Sequence, residues 1–556
     1  MISDRIATRL LGLPPARTAY TRREERIPMR DGAVLLGEHH IPTTEHPLGT
    51  VLIRTPYGRR SPLDALTSRT FAARGYHVLV QSVRGTFGSG GVFDPMVNEQ
   101  RDGQDTVAWL REQAWFDGRL ATHGASYLGW AQWTLMADPP PELRAAVVLV
   151  GPHDFAYSVY GAGTFSLHGF LSWSDLILRQ EGGPVKTLVG GVTAARRLAP
   201  GFAGLPLADS VDKMLSGRAP WFRQWVAHPD LTDPFWDAKR ASTALARSTV
   251  PTLLMGGWQD LFVEQTLAQY AALHARDVDV ALTVGPWTHV GIGIRGAGIV
   301  ARETLGWLDE HLAGATSRAR RTPVRVYLTG LRQWQELPEW PPPTSLQTWW
   351  LGPAESLVDD EPPSGGVTAD AVTAQFRYDP ADPTPSVGGR LLTDAGVRDN
   401  RALAARADVL SFTTPPLASA LVIAGTPTVV LEHTAEPPHA DVFVRLCDVA
   451  PDGRAANVAD GMLRRAQATG PVEITLDPCY HRVAAGHRLS LLVAGGAYPR
   501  FQRNNGTGEP PADATGLVAV THHVRGGRVA LPIALSTTRA ERLTPERGNK
   551  APPSRE

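Results

Sequence analysis

One serine of this chain lies in the setting that a catalytic nucleophile needs. An apolar run that begins at Leu120 meets a turn at residues 124–129 (GASYLG), and a helical pattern follows directly. The nucleophile elbow of α/β-hydrolases is a sharp turn between a strand and a helix that usually has the sequence G-x-S-x-G. Here the second small residue, Gly129, comes one position late. The pattern fits an ordinary turn serine as well as a nucleophile at Ser126.

An aspartate and a histidine follow two further apolar runs, each shortly after the run ends. Residues 251–256 lead to Asp260, and residues 281–285 lead to His289. Parallel doubly wound sheets bind ligands beyond the carboxyl ends of their strands, and Ser…Asp…His is the chain order of α/β-hydrolase triads. Taken singly, Asp260 could be a helix N-cap and His289 a surface residue. The joint arrangement with Ser126 favours a catalytic triad.

Length, charge and cysteine content exclude several classes of function. A chain of 556 residues is too long for one hydrophobic core and indicates two or three domains. Its 55 basic and 55 acidic residues cancel, so the charge favours neither nucleic acid nor an anionic membrane as a partner. Two cysteines cannot form a disulfide scaffold. Because we also find no apolar segment typical of a signal peptide or a membrane span, we expect a cytoplasmic protein.

The alternation of strand-like and helix-like segments indicates an α/β fold with an insertion. Up to residue 152, short apolar runs alternate with helical patterns, which is typical of βαβ units around a parallel sheet. Residues 153–248 are instead helical in period, with Gly and Pro breaks, and they predict a helical cap. The strand pattern then resumes, so we assign residues 249–316 to the second part of the α/β-hydrolase domain.

The remainder of the chain has the pattern of a β domain. Short strand candidates separated by Pro, Gly and Asp turns begin at residue 324, and they predict a jelly-roll β-sandwich over residues 317–540. Residues 541–556 have the composition of a disordered tail. The adjacent histidine pairs at 39–40 and 522–523 would point to opposite faces of a strand, so we expect no metal site.

Further motifs, in chain order, connect this sequence with one family of serine hydrolases. They are RTPY at 54–57, VRGT at 83–86, GASYLG at 124–129, HPD at 228–230, GWQD at 257–260, GPWTH at 285–289, SVGGR at 386–390 and YPRFQRN at 498–504. On these motifs the sequence resembles the X-Pro dipeptidyl-peptidase and cocaine esterase family, also called CocE/NonD hydrolases. The resemblance covers nearly everything between residues 27 and 532. It implies an α/β-hydrolase domain, a helical cap and a C-terminal jelly roll.

The resemblance also implies roles for four more residues. In this family a tyrosine hydroxyl and the backbone N–H after the nucleophile form the oxyanion hole, and these correspond here to Tyr57 and Tyr127. Trp173 and Phe262 correspond to aromatic acyl-pocket positions of the cocaine esterases, although the sequence alone allows either ring to be core. A second cap tryptophan of those enzymes is missing, because Val159-Tyr160 stands near its place. This departure argues against an aromatic acyl specificity.

The implied mechanism needs neither a metal nor an organic cofactor. His289 takes the proton from Ser126 as Oγ attacks an ester or amide carbonyl, and Asp260 orients His289 and stabilises its imidazolium. Water then attacks the acyl-enzyme, with His289 again as the base.

The substrate is less constrained than the mechanism. We expect a small ester or amide as the partner, with neither nucleic acid nor membrane, and a homo-oligomer is compatible with the sequence. A carboxylesterase is our first prediction, and an amide-cleaving acylase or X-Pro dipeptidyl-peptidase is the alternative. A peptidase needs a carboxylate in the acyl pocket to bind a free amino terminus. The acidic candidates are Asp175, Glu181, Asp309 and Glu310, of which the last two also suit an exposed helix face.

A protein of another class is a remote alternative. The chain could be a non-catalytic binding protein that uses its jelly roll, with the hydrolase domain as a scaffold. The loss of a triad residue would have favoured this hypothesis, but Ser126, Asp260 and His289 are all present.

Overall fold

The computed structural model describes residues 4–182, 193–316, 320–360 and 374–535. The predicted disordered tail at residues 541–556 lies outside these described residues. Within them, none of the helices combines the length and the apolar character that a membrane span requires. Two large hydrophobic cores lie in the described parts of the chain, one around the first sheet and one inside the C-terminal β domain.

A ten-stranded sheet of order β1-β2-β4-β3-β5-β6-β7-β8-β9-β10 organises the first core. Its strands are β1 (Tyr20–Pro28), β2 (Val34–Pro42), β3 (Thr50–Thr55), β4 (His77–Ser82), β5 (Leu120–Ala125), β6 (Leu143–Leu149), β7 (Thr252–Gln259), β8 (Val280–Thr288), β9 (Val324–Leu328) and β10 (Gln333–Leu337). The seven strands from β4 to β9 in this order are parallel. Central strands such as β3 and β4 are buried along their whole length, which explains their continuous apolar runs.

Helices cover both faces of this sheet. They are α1 (Asp4–Leu11), α2 (Pro62–Ala72), α3 (Glu99–Arg111), α4 (Tyr127–Met136), α11 (Val263–His274), α12 (Gly291–Ile294) and α13 (Ala297–His311). Helix α1 contacts both α2 and α13, whereas α4 packs against α3 and against strands β5 and β6. These contacts give the doubly wound arrangement in which the strand ends that carry side chains for chemistry meet at one edge.

Where the sequence predicts a cap, the described residues between β6 and β7 form six α-helices. They are α5 (Phe155–Tyr160), α6 (Leu167–Arg179), α7 (Ala194–Ala203), α8 (Leu207–Met214), α9 (Pro220–Ala227) and α10 (Ser242–Arg247). Aromatic rings hold this insertion together. Phe155 of α5, for example, makes edge contacts with Phe170 and Trp225, with ring centroids 5.2 Å and 4.9 Å away.

The C-terminal β domain is built around a second, largely antiparallel sheet of twelve strands. They are β11 (Thr344–Gly352), β12 (Ser356–Val358), β13 (Ala374–Tyr378), β14 (Val409–Thr413), β15 (Leu421–Gly425), β16 (Thr428–Glu436), β17 (Ala440–Val449), β18 (Ala455–Arg465), β19 (Pro471–Thr475), β20 (Cys479–Val483), β21 (Arg488–Ala494) and β22 (Val520–Ala534), with the short helix α14 (Arg401–Ala404) before β14. The jelly-roll connection of these strands stays a prediction.

One strand that we predicted in the β domain, β9, belongs to the first sheet, and β10, which the sequence did not predict, follows it there. β9 pairs in parallel with β8, and β10 pairs with β9, so the hydrolase sheet continues to Leu337 rather than ending before residue 317. Buried and half-buried residues alternate along β9, and a strand of either sheet can have this pattern. The pattern therefore does not indicate which strand β9 pairs with. The end of β9 also joins the two sheets, because Thr329 O accepts a hydrogen bond from Arg482 N at 2.9 Å.

Candidate active site

Ser126 occupies a strained turn between β5 and α4. Its φ of +59° lies in a region that L-residues rarely adopt, at a cost of about 1–3 kcal/mol. The two small residues of the motif make this turn sterically feasible. A Cβ at Gly124 would lie 2.3 Å from Leu128 Cβ, and a Cβ at Gly129 would lie 2.6 Å from Gly151 Cα. The shifted glycine therefore lets α4 approach the chain that leaves β6.

A continuous series of hydrogen bonds joins the serine, the histidine and the aspartate. His289 Nε2 lies 2.9 Å from Ser126 Oγ, and His289 Nδ1 lies 2.6 Å from Asp260 Oδ1. Ser126 follows β5, Asp260 follows β7, and His289 follows β8, so the parallel sheet brings three distant segments to one edge. A hydroxyl, an imidazole and a carboxylate in this order can activate the serine as a nucleophile.

The surroundings of Asp260 hold the histidine in one orientation. The carboxylate is fully buried, and its second oxygen accepts the Phe262 backbone N–H at 2.9 Å. The Phe262 ring packs edge-on against the His289 ring with centroids 5.4 Å apart. Because both carboxylate oxygens have fixed donors, Oδ1 is directed at His289 Nδ1.

Two groups near Ser126 have the chemistry of oxyanion donors. The Tyr127 N–H belongs to the first residue of α4 and has no acceptor within its own helix. Tyr57 follows β3, and its side chain lines the same cavity as Ser126. The Tyr57 oxygen accepts a hydrogen bond from Trp173 Nε1 at 3.1 Å. An indole N–H can only donate, so the hydroxyl proton of Tyr57 must be directed elsewhere.

The Tyr127 side chain fixes the start of α4 through hydrogen bonds that the sequence did not predict. Its hydroxyl donates to the carboxylate of Glu99 and accepts the Met96 backbone N–H at 3.3 Å. Burial raises the pKa of Glu99 to about 7. The Tyr127 ring also stacks on the Trp173 ring, with centroids 6.2 Å apart and an angle of 8° between the ring planes. Glu99 lies in a polar helix segment whose pattern resembles an exposed face, so no local signal identified it.

A cavity of about 1360 Å³ contains Ser126 and His289. Both rings that the resemblance placed in the acyl pocket, Trp173 and Phe262, line it. A second group of lining residues comes from the β domain, including Arg390 and Asp477. The sequence analysis identified the motif that ends at Arg390 but did not predict that Arg390 lines the cavity. The residues near a loop do not indicate which domain the loop contacts.

A buried network of charges closes the side of the cavity that faces the β domain. Arg390 pairs with Asp477 and, at 3.2 Å, with Glu264. Arg500 pairs with Asp460 at 2.5 Å, and Arg445 pairs with the same carboxylate at 2.7 Å. Three guanidinium groups thus balance three carboxylates, and the network connects helix α11 with the β domain.

The structure separates the four acidic candidates for binding an amino terminus. Asp175 pairs with Arg179 at 2.7 Å and with Arg197, so its charge is already compensated. Glu181 lines the cavity and accepts the Phe87 backbone N–H at 2.7 Å. The remaining two, Asp309 and Glu310, are absent from the described lining, and Asp309 accepts the Tyr76 hydroxyl at 2.6 Å.

Comparisons with known proteins agree on the family and the fold. Residues 31–291 match the X-Pro dipeptidyl-peptidase (S15 family) model, and residues 317–530 match the model of the X-Pro dipeptidyl-peptidase C-terminal non-catalytic domain. The cocaine esterase of Rhodococcus sp. (strain MB1 Bresler) is 31% identical over 532 residues, which are 87% of this chain and 92% of that protein.

Two solved structures share the fold over nearly their whole length. An α-amino acid ester hydrolase superposes with a TM-score of 0.79 at 23% identity, covering 94% of this chain and 98% of that chain. An aminopeptidase from a marine sediment Thaumarchaeota archaeon gives a TM-score of 0.77 at 24% identity, with the same coverage. The predicted fold class, an α/β-hydrolase domain followed by a β domain, is confirmed, as is the family resemblance.

Proposed function

The chain belongs to the X-Pro dipeptidyl-peptidase (S15) family and is a serine ester hydrolase, and we propose that it is a carboxylesterase that acts through Ser126, His289 and Asp260. The observation that carries this proposal is the series of hydrogen bonds from Ser126 Oγ through His289 to the buried Asp260 carboxylate. This series lies in a cavity large enough for a small organic substrate.

In the proposed mechanism, His289 Nε2 removes the Ser126 proton as Oγ attacks the ester carbonyl. The Tyr57 hydroxyl and the Tyr127 N–H donate to the oxyanion, and the N-terminal dipole of α4 adds to its stabilisation. His289 then protonates the departing alcohol. A water molecule, deprotonated by His289, releases the acid from Ser126.

Two observations support esters over substrates with a free amino terminus. The charge of Asp175 is compensated by two guanidinium groups, and neither Asp309 nor Glu310 belongs to the described cavity lining. The relative that is 31% identical to this chain is named as a cocaine esterase. Glu181 does line the cavity, and this keeps an amide-cleaving acylase or X-Pro dipeptidyl-peptidase as the second candidate.

A substrate panel tests the choice between these activities. We expect hydrolysis of p-nitrophenyl esters, with much lower kcat/KM on X-Pro anilides and on β-lactam amides. If the wild-type protein instead prefers X-Pro anilides and Glu181→Gln loses this preference, the proposed activity would be that of a peptidase rather than a carboxylesterase. Failure of a fluorophosphonate to label the folded protein would favour the non-catalytic binding protein.

Tyr57→Phe should lower kcat about 10²–10³-fold, because it removes one oxyanion donor and leaves the ring in place. The unfolding temperature should hardly change. Tyr157→Phe is a matched control, since Tyr157 lines the same cavity but lies outside the proposed oxyanion hole. A kcat for Tyr57→Phe within about threefold of wild type would make Tyr57 a packing residue.

Phe262→Ala should change the ranking of acyl groups more than the rate of the chemical step. Removing this ring enlarges the pocket beside His289, so bulky acyl esters should gain relative to acetyl esters. Trp173→Ala should alter the ranking and also lower kcat on all esters, because Trp173 Nε1 donates to the Tyr57 hydroxyl. The measurement is kcat and KM for a series of acyl groups. Equal losses on every acyl group in Phe262→Ala would identify its ring as core.

The compartment is a further part of the proposal. Cys447 and Cys479 are both free and buried, and burial raises the pKa of the Cys447 thiol to about 12. Two protonated thiols that form no disulfide are compatible with a reducing environment. We therefore propose the cytoplasm as the site of action.

A further inference from the structure

The cavity that contains Ser126 is also lined by helices of the hydrolase domain that do not belong to the cap. Besides residues of the cap and the β domain, its lining includes parts of α1, α2 and α13 together with His123 of β5. We call this region the inner arm. Its apolar lining residues are Leu11, Leu66, Phe71, Ala297, Val300 and Ala301.

The inner arm follows β5 back from the nucleophile. His123 lies three residues before Ser126, and side chains alternate along a strand, so His123 and Ala125 project to the same face. Phe71 of α2 meets His123 edge-on on that face, with ring centroids 5.3 Å apart. The arm therefore lies over β5, between α2 and α13.

The described side chains that α1, α2, α13 and β5 contribute to the inner arm are uncharged near pH 7. Among the described side chains of α1, α2, α13 and β5 that line the cavity, the polar ones are threonines and His123. Burial lowers the pKa of His123 to about 4, so its ring is neutral near pH 7. An uncharged arm with apolar walls repels ionic groups and favours hydrocarbon, because an unpaired charge there would lose its hydration.

The length of the inner arm can be judged from the elements beside it. The lining residues of α13 extend from Ala297 to Thr304, a rise of about 10 Å along the helix. Three residues of strand from Ser126 back to His123 span about the same distance. An extended chain of about eight carbons fits this depth.

We propose that the inner arm binds an unbranched alkyl chain of the ester substrate. The proposal rests on the function proposed above, because the chain enters from an ester held at Ser126. The chain belongs either to the acyl group or to the alcohol, and the two sources share the same chemistry. In either case the alkyl chain is transferred from water to the apolar lining of the inner arm.

Two ester series test this proposal and separate the sources. One is p-nitrophenyl esters of unbranched acids, and the other is acetates of unbranched alcohols, each from two to twelve carbons. In the series whose chain enters the arm, kcat/KM should rise about threefold to fourfold per methylene, as expected for about 0.8 kcal/mol per buried CH₂. The rise should stop when the arm is full.

Ala301→Phe should shorten the preferred chain. Ala301 is half-buried on α13 and faces the cavity, so the new ring grows into open space and the unfolding temperature should be retained. We expect kcat/KM for the eight-carbon ester to fall roughly 30- to 250-fold, the effect of losing three or four buried methylenes, while kcat/KM for the two-carbon ester stays within about twofold. Leu176→Phe is the matched control, because Leu176 lines the cavity from the cap and is 41% exposed.

The outcomes are distinct. A chain-length profile that Ala301→Phe leaves unchanged in both series overturns the inner arm as an alkyl site, and so does an equal shift in Leu176→Phe. Ser126→Ala, assayed on the two-carbon ester, tests the proposed function separately from the inner arm. If Ser126→Ala is inactive but Ala301→Phe does not shift the chain-length profile, the esterase proposal holds and only the alkyl site is rejected. If the wild-type protein hydrolyses no ester, both proposals are rejected.

Discussion

Ser126→Ala should abolish hydrolysis of every ester in the panel while the protein remains folded. Loss of the nucleophile in a serine hydrolase lowers kcat about 10⁶-fold, because only binding and the oxyanion donors remain. The strained φ of +59° is set by the turn between β5 and α4, and alanine is no larger than serine. The unfolding temperature should therefore be close to that of the wild type.

The measurement is kcat on the two-carbon p-nitrophenyl ester, together with fluorophosphonate labelling. Ser166→Ala is a suitable control, since Ser166 lines the same cavity at the start of α6. It should retain both activity and labelling. Turnover by Ser126→Ala above about a thousandth of wild type would mean that another group is the nucleophile.

Asp260→Asn should lower kcat about 10⁴-fold, the size of effect expected when the histidine is held in the wrong tautomer. The Phe262 backbone N–H needs an oxygen acceptor at Oδ2, so the asparagine amide nitrogen must face His289 Nδ1. A donor at that position forces the imidazole proton onto Nε2. His289 then has no lone pair to accept the proton of Ser126.

This prediction is checked by kcat together with the unfolding temperature. The carboxamide has nearly the shape of the carboxylate, so stability should fall far less than activity. Asp230→Asn serves as the control, because Asp230 lies exposed in the cap. A loss of less than about 30-fold in Asp260→Asn would show that orientation of His289 does not depend on Asp260.

The positions of the site residues along the chain could be predicted because their signals are local. Each of Ser126, Asp260 and His289 follows an apolar run, and a run of buried residues with turn residues behind it predicts a strand end from sequence alone. The topology of parallel sheets then requires the three ends to lie at one edge. The structure places all three within one hydrogen-bonded series.

The supporting contacts could not be predicted in the same way. Glu99 lies 28 residues from Tyr127, and the indole of Trp173 lies 116 residues from the Tyr57 hydroxyl that it contacts. Their side chains meet only because α3 packs beside α4 and because the cap contacts the residues that follow β3. The partner of β9 is a similar case, since its burial pattern suits either sheet.

The sequence by itself determined the family, the order of the catalytic candidates and the elements that carry them. These follow from hydrophobic periodicity, turn chemistry and short motifs, each of which acts within a few residues of the chain. Tertiary structure alone decided which loops enclose the nucleophile, that Asp175 is paired with Arg179 and Arg197, and that α2 and α13 line an arm of the cavity. The physical reason is that burial, ion pairing and cavity shape depend on which distant segments pack together.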